Sequence, residues 1–400
     1  MPVRSTVSRA GARAVPELAA IRAGNIAKVV AQVRRRGPLP RTELAVLTGL
    51  TRPTITAVVT KLLSDGVLEE VGSRASGAAG GRPGKLLGFN PACACVAIAR
   101  VRPDWVEAQV ADADGTVVVT GVRDCTGGPE ELFAELARLV ESLVEQAASG
   151  PLGGLVAILP GELDERDGTV DFPFFGWDRL PVTAWLHDQL GVPVELVGPP
   201  RASAVTCIAD GLCPQGKGLM VYFGFGVSVS IIEDWKAVAP SLGGGELGHC
   251  TIPGTTGVCS CGRIGCLGLS ASGFAIGRDL TERGRGKYAE LSLKELGDLA
   301  DPVVDEVLAE VARSLGLGIS WLLNITGSRP VVIGGSPYAA GAEAFRAMVA
   351  VAVKESVPRH LAENLTVVGC REDSSTTGAI QMGLHLLPTH LRPPAQRPVR

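Results

Sequence analysis

Apolar residues recur at helical spacing from about Glu17 to Arg36, with Ile26, Val29, Val30 and Val33 on one face, and Gly37-Pro38 ends the run. Two shorter helices are predicted next, from about Arg41 to Thr48 and from about Arg52 to Ser64. Val67–Val71 and Lys85–Phe89 read as a β-hairpin with a long Gly/Ala/Ser-rich tip. After Pro91 the pattern changes. Val96–Val101, Val106–Ala111 and Thr116–Val122 read as successive strands, with the turn pair Asp114-Gly115 between the last two. A helix from about Pro129 to Ala148 and the strand Gly154–Leu159 follow. Strands recur at Leu219–Phe223, Ser228–Ile232 and Ala237–Val238, then a helix at Val303–Ile325 and a strand at Pro330–Ile333. Two α/β lobes of similar pattern behind a small helical head are the economical reading.

Boundaries follow from these changes of period. Residues 1–15 are expected to be a disordered basic arm, 16–90 a head, 91–388 the two-lobed body, and 389–400 a disordered Pro/Arg-rich tail. At 46% hydrophobic and 20% charged residues, most of the 400-residue chain can bury a core. No apolar run approaches the roughly 18–20 residues of a membrane span, so no membrane partner is expected. The basic N-terminus lacks a following apolar segment, which points to a cytoplasmic protein. In that compartment the ten cysteines are thiols or metal ligands rather than disulfides.

Charge sharpens the division. The net charge of −3 hides 14 Lys/Arg against 5 Asp/Glu in residues 1–90, a net of +9, and a net of −12 in the remainder. A basic head on an acidic body points to nucleic acid. With Gly49 as the turn between the second and third helices, Ala45 allows close approach, and Leu44, Leu50, Ile55 and Val58 fall on a shared inner face. This is the spacing of a helix–turn–helix. Its third helix would enter the major groove of double-stranded DNA and present Thr51, Arg52, Pro53, Thr56, Ala57, Thr60 and Lys61. Arg41, at the start of the second helix, and Arg74, Arg82 and Lys85 on the hairpin, as a wing, are further DNA contacts. The alternative is an ordinary helical hairpin with a solvated basic face.

His249, Cys259, Cys261 and Cys266 lie within 18 residues, with Gly254, Gly257, Gly262 and Gly265 letting the backbone fold around one point. One imidazole and three thiolates suit a tetrahedral, structural Zn²⁺ that keeps no open catalytic position. A redox pair, an iron–sulfur cluster or plain thiols are the alternatives.

Together the helix–turn–helix, the wing ending in Gly81-Arg82-Pro83, Glu246-Leu-Gly-His249 and Cys259-x-Cys261-Gly-x-x-Gly-Cys266-Leu267 resemble the ROK family of repressors, open reading frames and sugar kinases. The resemblance spans about Asn25 to Leu387. It implies a winged helix-turn-helix head and a two-lobed, actin-like (ribonuclease-H-like ATPase) α/β body that binds a sugar between its lobes. Repressor members carry such a head; kinase members lack it.

Phosphoryl transfer to a sugar hydroxyl needs a phosphate-cradling turn and a carboxylate base. The family's Asp-x-Gly-Gly-Thr turn corresponds to Arg100-Val-Arg-Pro-Asp104, which has no glycine, and its catalytic aspartate to Pro199. Gly224-Phe-Gly226 and Gly334-Gly335 resemble other nucleotide-side turns. Phe174 and Gly268 replace two of the family's sugar contacts, leaving Glu246 and His249 as effector-binding residues, with Asp171, Trp177 and Arg201 nearby. The expectation is a DNA-binding regulator, a repressor, that reads an operator as a homodimer or tetramer and is not an enzyme. A sugar or other small molecule between the lobes would be its effector. A sugar kinase carrying a DNA-binding head and an effector-independent scaffold are the rivals.

Overall fold

The computed structural model describes residues 11–74, 84–238, 245–339 and 341–392. The head opens with α1 (Gly11–Arg36), followed by β1 (Leu39–Pro40), α2 (Arg41–Thr48), α3 (Arg52–Ser64), β2 (Leu68–Arg74) and β3 (Gly84–Phe89). The three strands form one antiparallel sheet in the order β1-β3-β2. Val29, Val30 and Val33 of α1 pack with Leu44, Ile55, Val59, Leu62 and Leu87. The inner face of α3 is therefore Ile55, Val59 and Leu62, and the expected Val58 sits at its margin. A step of four and then three residues follows the 3.6 period.

The first lobe comprises β4 (Cys95–Arg102), β5 (Trp105–Asp112), β6 (Val117–Asp124), α4 (Pro129–Ala147), β7 (Leu152–Ile158), β8 (Glu162–Asp164), β9 (Thr169–Phe172), β10 (Trp177–Leu180), α5 (Val182–Leu190), β11 (Val194–Val197) and α6 (Pro199–Ala209). Its main sheet runs β11-β7-β4-β5-β6. The second lobe comprises β12 (Gly218–Phe223), β13 (Val227–Glu233), β14 (Lys236–Ala237), α7 (Gly273–Glu282), α8 (Leu293–Gly297), α9 (Pro302–Thr326), β15 (Val331–Gly335), α10 (Glu343–Ser356), α11 (Arg359–Ala362), β16 (Val367–Gly369) and α12 (Ser374–Leu386). Its sheet runs β14-β13-β12-β15-β16. Each sheet thus holds a three-stranded antiparallel meander extended by two parallel strands, one plan used twice.

Helices α6 and α12 join the lobes. They cross so closely that a Cβ on Gly378 would lie 1.8 Å from the Ala202 carbonyl oxygen. The Thr206 hydroxyl donates to the Ser374 carbonyl at 2.6 Å, and the Ser374 hydroxyl to Ser203 at 3.0 Å. Backbone contact of this kind needs small residues rather than an apolar stripe.

Two expectations about the ends of the chain change. The helix α1 already runs at Gly11, inside the expected arm, because Ala12, Arg13 and Ala14 are good helix formers that carry no apolar period. Residues 1–10 lie outside the described residues. The segment 389–392, expected to be disordered, is packed: Leu391 is buried in a core shared by head and body. Residues 393–400 lie outside the described residues. Among the described residues no helix is long and apolar enough to cross a membrane.

Candidate functional site

Helix α3 is positioned by its own sequence. Gly49 takes φ +69 at the end of α2 and its N–H donates to the Ala45 carbonyl at 3.1 Å, which fixes the turn. Thr51 caps α3: its hydroxyl accepts from the Thr54 N–H at 3.4 Å and lies 2.9 Å from the Thr54 hydroxyl. Pro53 sits in the first turn, where its missing N–H costs nothing. Thr51, Arg52, Pro53, Thr56, Ala57, Thr60 and Lys61 are all exposed on one side of the head. Among the described residues the Arg52 guanidinium makes no ion pair, whereas Lys61 meets Asp65 at 2.9 Å. An exposed pair of that kind is worth only about 0–1 kcal/mol and gives way to a stronger anion. Arg41 is half-buried at the first position of α2. Arg74 ends β2, and Arg82 lies outside the described residues.

The histidine and cysteines converge as their spacing requires. His249 ends a 3₁₀ turn, Leu247–His249, whose Leu247 is buried in the second-lobe core. The cysteine loop is tied by bridges between Thr251 and Cys266 and between Val258 and Ile264. Gly265 takes φ +82, and a Cβ there would lie 2.8 Å from the Thr255 carbonyl oxygen, so the close return of the loop requires glycine. The four ligand atoms of His249, Cys259, Cys261 and Cys266 all lie within 4.8 Å of one another. Around a tetrahedral N/S metal centre, bond lengths of about 2.3 Å to sulfur and 2.0 Å to nitrogen place sulfurs about 3.7 Å apart and sulfur and nitrogen about 3.5 Å apart. Here the sulfurs of Cys261 and Cys266 are 3.6 Å apart, and Nδ1 of His249 is 3.5 Å from the Cys259 sulfur. Burial and then the neighbouring thiols push Cys266 up to about 12. Three crowded thiolates are mutually unfavourable until a cation joins them. The group could hold a metal, and its donor set and spacing fit one.

Glu246 immediately precedes this turn and is half-buried. Burial, and then the charge of Glu162 from the first lobe, push its carboxyl up to about 7. The neighbouring residues expected to reach a ligand are engaged elsewhere. Trp177 is buried, 4% exposed, and packs on Phe133 and Phe172 with ring centroids 5.8 and 6.0 Å away. The Asp171 carboxylate accepts from the Arg179 N–H at 2.8 Å. Arg201 pairs with Glu165 at 2.5 Å and Glu195 at 3.8 Å.

The two positions that phosphoryl transfer would use have other structures. Arg102 pairs with Trp105 across a two-residue turn, Pro103-Asp104, so β4 runs directly into β5 without a phosphate-cradling loop. Pro199 and Pro200 are the first two residues of α6 and offer no proton acceptor. In the second lobe Phe225, between Gly224 and Gly226, is 66% exposed and meets Phe274 edge-on at 5.4 Å. Sequence reasoning did not single out this aromatic pair; a phenylalanine between two glycines was its only signal.

The pattern of the ROK family matches residues 104–385. The chain is 25% identical over 308 residues to the xylose repressor of Bacillus subtilis (strain 168), covering 76% of this chain and 79% of that one. A solved ROK family transcriptional regulator, a homolog of the Escherichia coli MLC protein, superposes with a TM-score of 0.71 at 21% identity over 93% of this chain and 98% of its own. The ROK hexokinase from Thermus thermophilus superposes with a TM-score of 0.56 at 23% identity over 72% of this chain and 97% of its own. The match to half the chain and more, over the lobes that hold the His/Cys group and Glu246, establishes that the chain belongs to the ROK family.

Proposed function

We propose that this chain is a sugar-responsive, DNA-binding transcriptional repressor. The observation that carries the reading is the bare outer face of α3, with Arg52 unpaired among the described residues, in a segment, residues 1–90, that holds a net charge of +9. In this reading the head is a winged helix-turn-helix. Arg52 reaches a guanine edge or a phosphate; the threonines take phosphates or a thymine methyl; and Lys61, Arg41, Arg74 and Arg82 take phosphates. The relative named as a xylose repressor supports the assignment, and the regulator that superposes over 93% of the chain shows the same overall fold. Two half-sites need two heads, so the working form is a homodimer or a dimer of dimers.

The effector occupies the cleft beside Glu246, the carboxylate accepting from ligand hydroxyls. His249 belongs to the metal centre, where Zn²⁺ is the ion that suits one imidazole and three thiolates, and four protein ligands give it a structural role. Its part in the cleft is to hold the Glu246 turn in place.

The reading is tested by titrating genomic fragments with the full-length protein at moderate salt and then with Arg52→Ala. The wild type should select one class of fragment, with binding that weakens as salt rises, and the variant should lose about 1–3 kcal/mol of that selectivity at unchanged thermal stability. No preference for any fragment would sink it. The second reading, a sugar kinase with a DNA-binding head, is favoured by the shared body of the hexokinase. ATP-dependent phosphorylation of D-xylose or D-glucose by the pure protein would establish it in place of the first.

A further inference from the structure

One side chain joins three parts of the molecule that the sequence separates widely. The side chain of Arg34, near the end of α1, is 6% exposed. Its guanidinium donates to the Ala113 carbonyl at 2.5 Å, to the Asp114 carboxylate at 2.6 Å and to the Leu391 carbonyl. It lies 4.3 Å from the ring centre of Phe89, at the end of the wing strand β3. A planar fork of donors fits such a set of acceptors, and a lysine ammonium would not span it.

The Leu391 end of this contact leads back to the lobes. Helix α12 starts directly after the second-lobe strand β16, crosses α6 at Gly378, and lies on the first-lobe sheet, where a Cβ on Gly383 would be 3.3 Å from Val96. Its continuation carries Leu387 and Leu391 into the core that also holds Val29, Val30 and Val33 of α1. Arg392 donates back to the Leu387 carbonyl at 2.9 Å and closes that segment into a turn. His390 lies within electrostatic reach of Asp65 and Lys61 at the end of α3. A single continuous element thus runs from the second lobe, through the interlobe crossing, to the far end of the DNA-facing helix.

We propose that residues 387–392 form a latch, closed by Arg34, through which α12 sets the position of the head against the first lobe. Its meaning for regulation rests on the repressor reading. A change in the angle between the lobes acts on α12 at Gly378, and the latch passes that movement to α1 and α3. Beside the latch, the head is held at the Asn90 and Pro91 junction, where Asn90 donates to the Gly66 and Val67 carbonyls.

The test is hydrogen–deuterium exchange on the full-length chain, free of DNA and sugar, comparing the wild type with Arg34→Gln and Asp114→Ala. Asp114 is exposed in a turn, so its variant keeps the comparison available even if Arg34→Gln folds poorly. Charge-assisted hydrogen bonds are strong enough that losing the Arg34 set should speed exchange in α1, α3 and the last turn of α12 by about tenfold or more, and Asp114→Ala by about threefold at the same places. Exchange in β12 and α9 should not change. Unchanged head amides in both variants would overturn the latch. So would a loosened head with an unmoved last turn of α12, or an equal acceleration in β12 and α9. Titration of the wild type with genomic fragments separates the two readings: failure to select DNA removes the repressor and leaves the exchange result standing, and the converse removes only the latch.

Discussion

The two lobes share one plan and differ at the ends of their strands. Each sheet is a three-stranded meander extended by two parallel strands. In an open α/β sheet, ligands are bound outside the carboxyl ends of the parallel strands. In the first lobe, at those ends, Pro103-Asp104 makes a tight hairpin and Pro199-Pro200 start α6. The second lobe carries a half-buried acidic side chain, Glu246, immediately before the turn that ends in His249 of the His/Cys group. The sheets and the α6–α12 crossing are built without the side chains at either set of strand ends, so the shared plan does not depend on what those ends carry. The raised carboxyl and the His/Cys donors both lie on the second-lobe side.

The comparison breaks most sharply if the metal group does not distinguish the lobes. Removing a buried ligand by Cys266→Ser should cost about 4 kcal/mol, the range of lost metal sites, and an added chelator should lower the wild type toward the variant. The measurement is thermal unfolding with and without chelator, alongside metal analysis after dialysis. Equal melting of wild type and variant, or much less than one ion per chain, would mean that the cysteines are packing residues and the second lobe holds itself as the first does.

How much of this contrast the sequence carries differs by region. The head was legible because Gly49, Ala45 and the apolar period fix two helices locally. The convergence of the His/Cys group was legible because one imidazole and three thiols lie within 18 residues among four glycines. Helices α6 and α12 were not. Pro-Pro-Arg-Ala-Ser-Ala-Val-Thr and Ser-Ser-Thr-Thr-Gly-Ala carry no apolar stripe, since both are surrounded and meet backbone to backbone. The latch was hidden for another reason. The acceptors of Arg34 include the carbonyls of Ala113 and Leu391, groups that every residue carries, so no side-chain pattern announces them.

A smaller effect tests whether the lobes act as one body. Gly378→Ala forces α6 and α12 apart at a contact of 1.8 Å between the new Cβ and the Ala202 oxygen, and overpacking of this sort costs about 1–3 kcal/mol. Because the strain falls between the lobes, it should lower their common melting transition without creating a second one. Two separate transitions in scanning calorimetry would show that the lobes are independent units and that the likeness of their sheets has no mechanical consequence.

The smallest expected effect concerns Glu246 and sharpens the difference in chemistry between the two sides of the cleft. Its carboxyl titrates at about 7 in the folded chain, against an ordinary 4.5, through burial first and the charge of Glu162 second. Between these two values the folded protein binds more protons than the unfolded one, so stability falls as pH rises across that window. Below pH 4.5 the contribution is fully present, and above about pH 7 it is gone. Partial exposure screens the charge, so the difference across the window should be about 1–2 kcal/mol. Glu246→Gln, which stays neutral, should remove that slope and leave the rest of the pH profile in place. A sugar whose hydroxyls donate to the carboxylate should do the opposite of burial and draw its titration downward. Thermal unfolding of both proteins from pH 5 to pH 8 reads the first effect, and repeating it with D-xylose or D-glucose reads the second. Identical slopes for variant and wild type would take Glu246 out of the cleft chemistry and leave the second lobe as silent as the first.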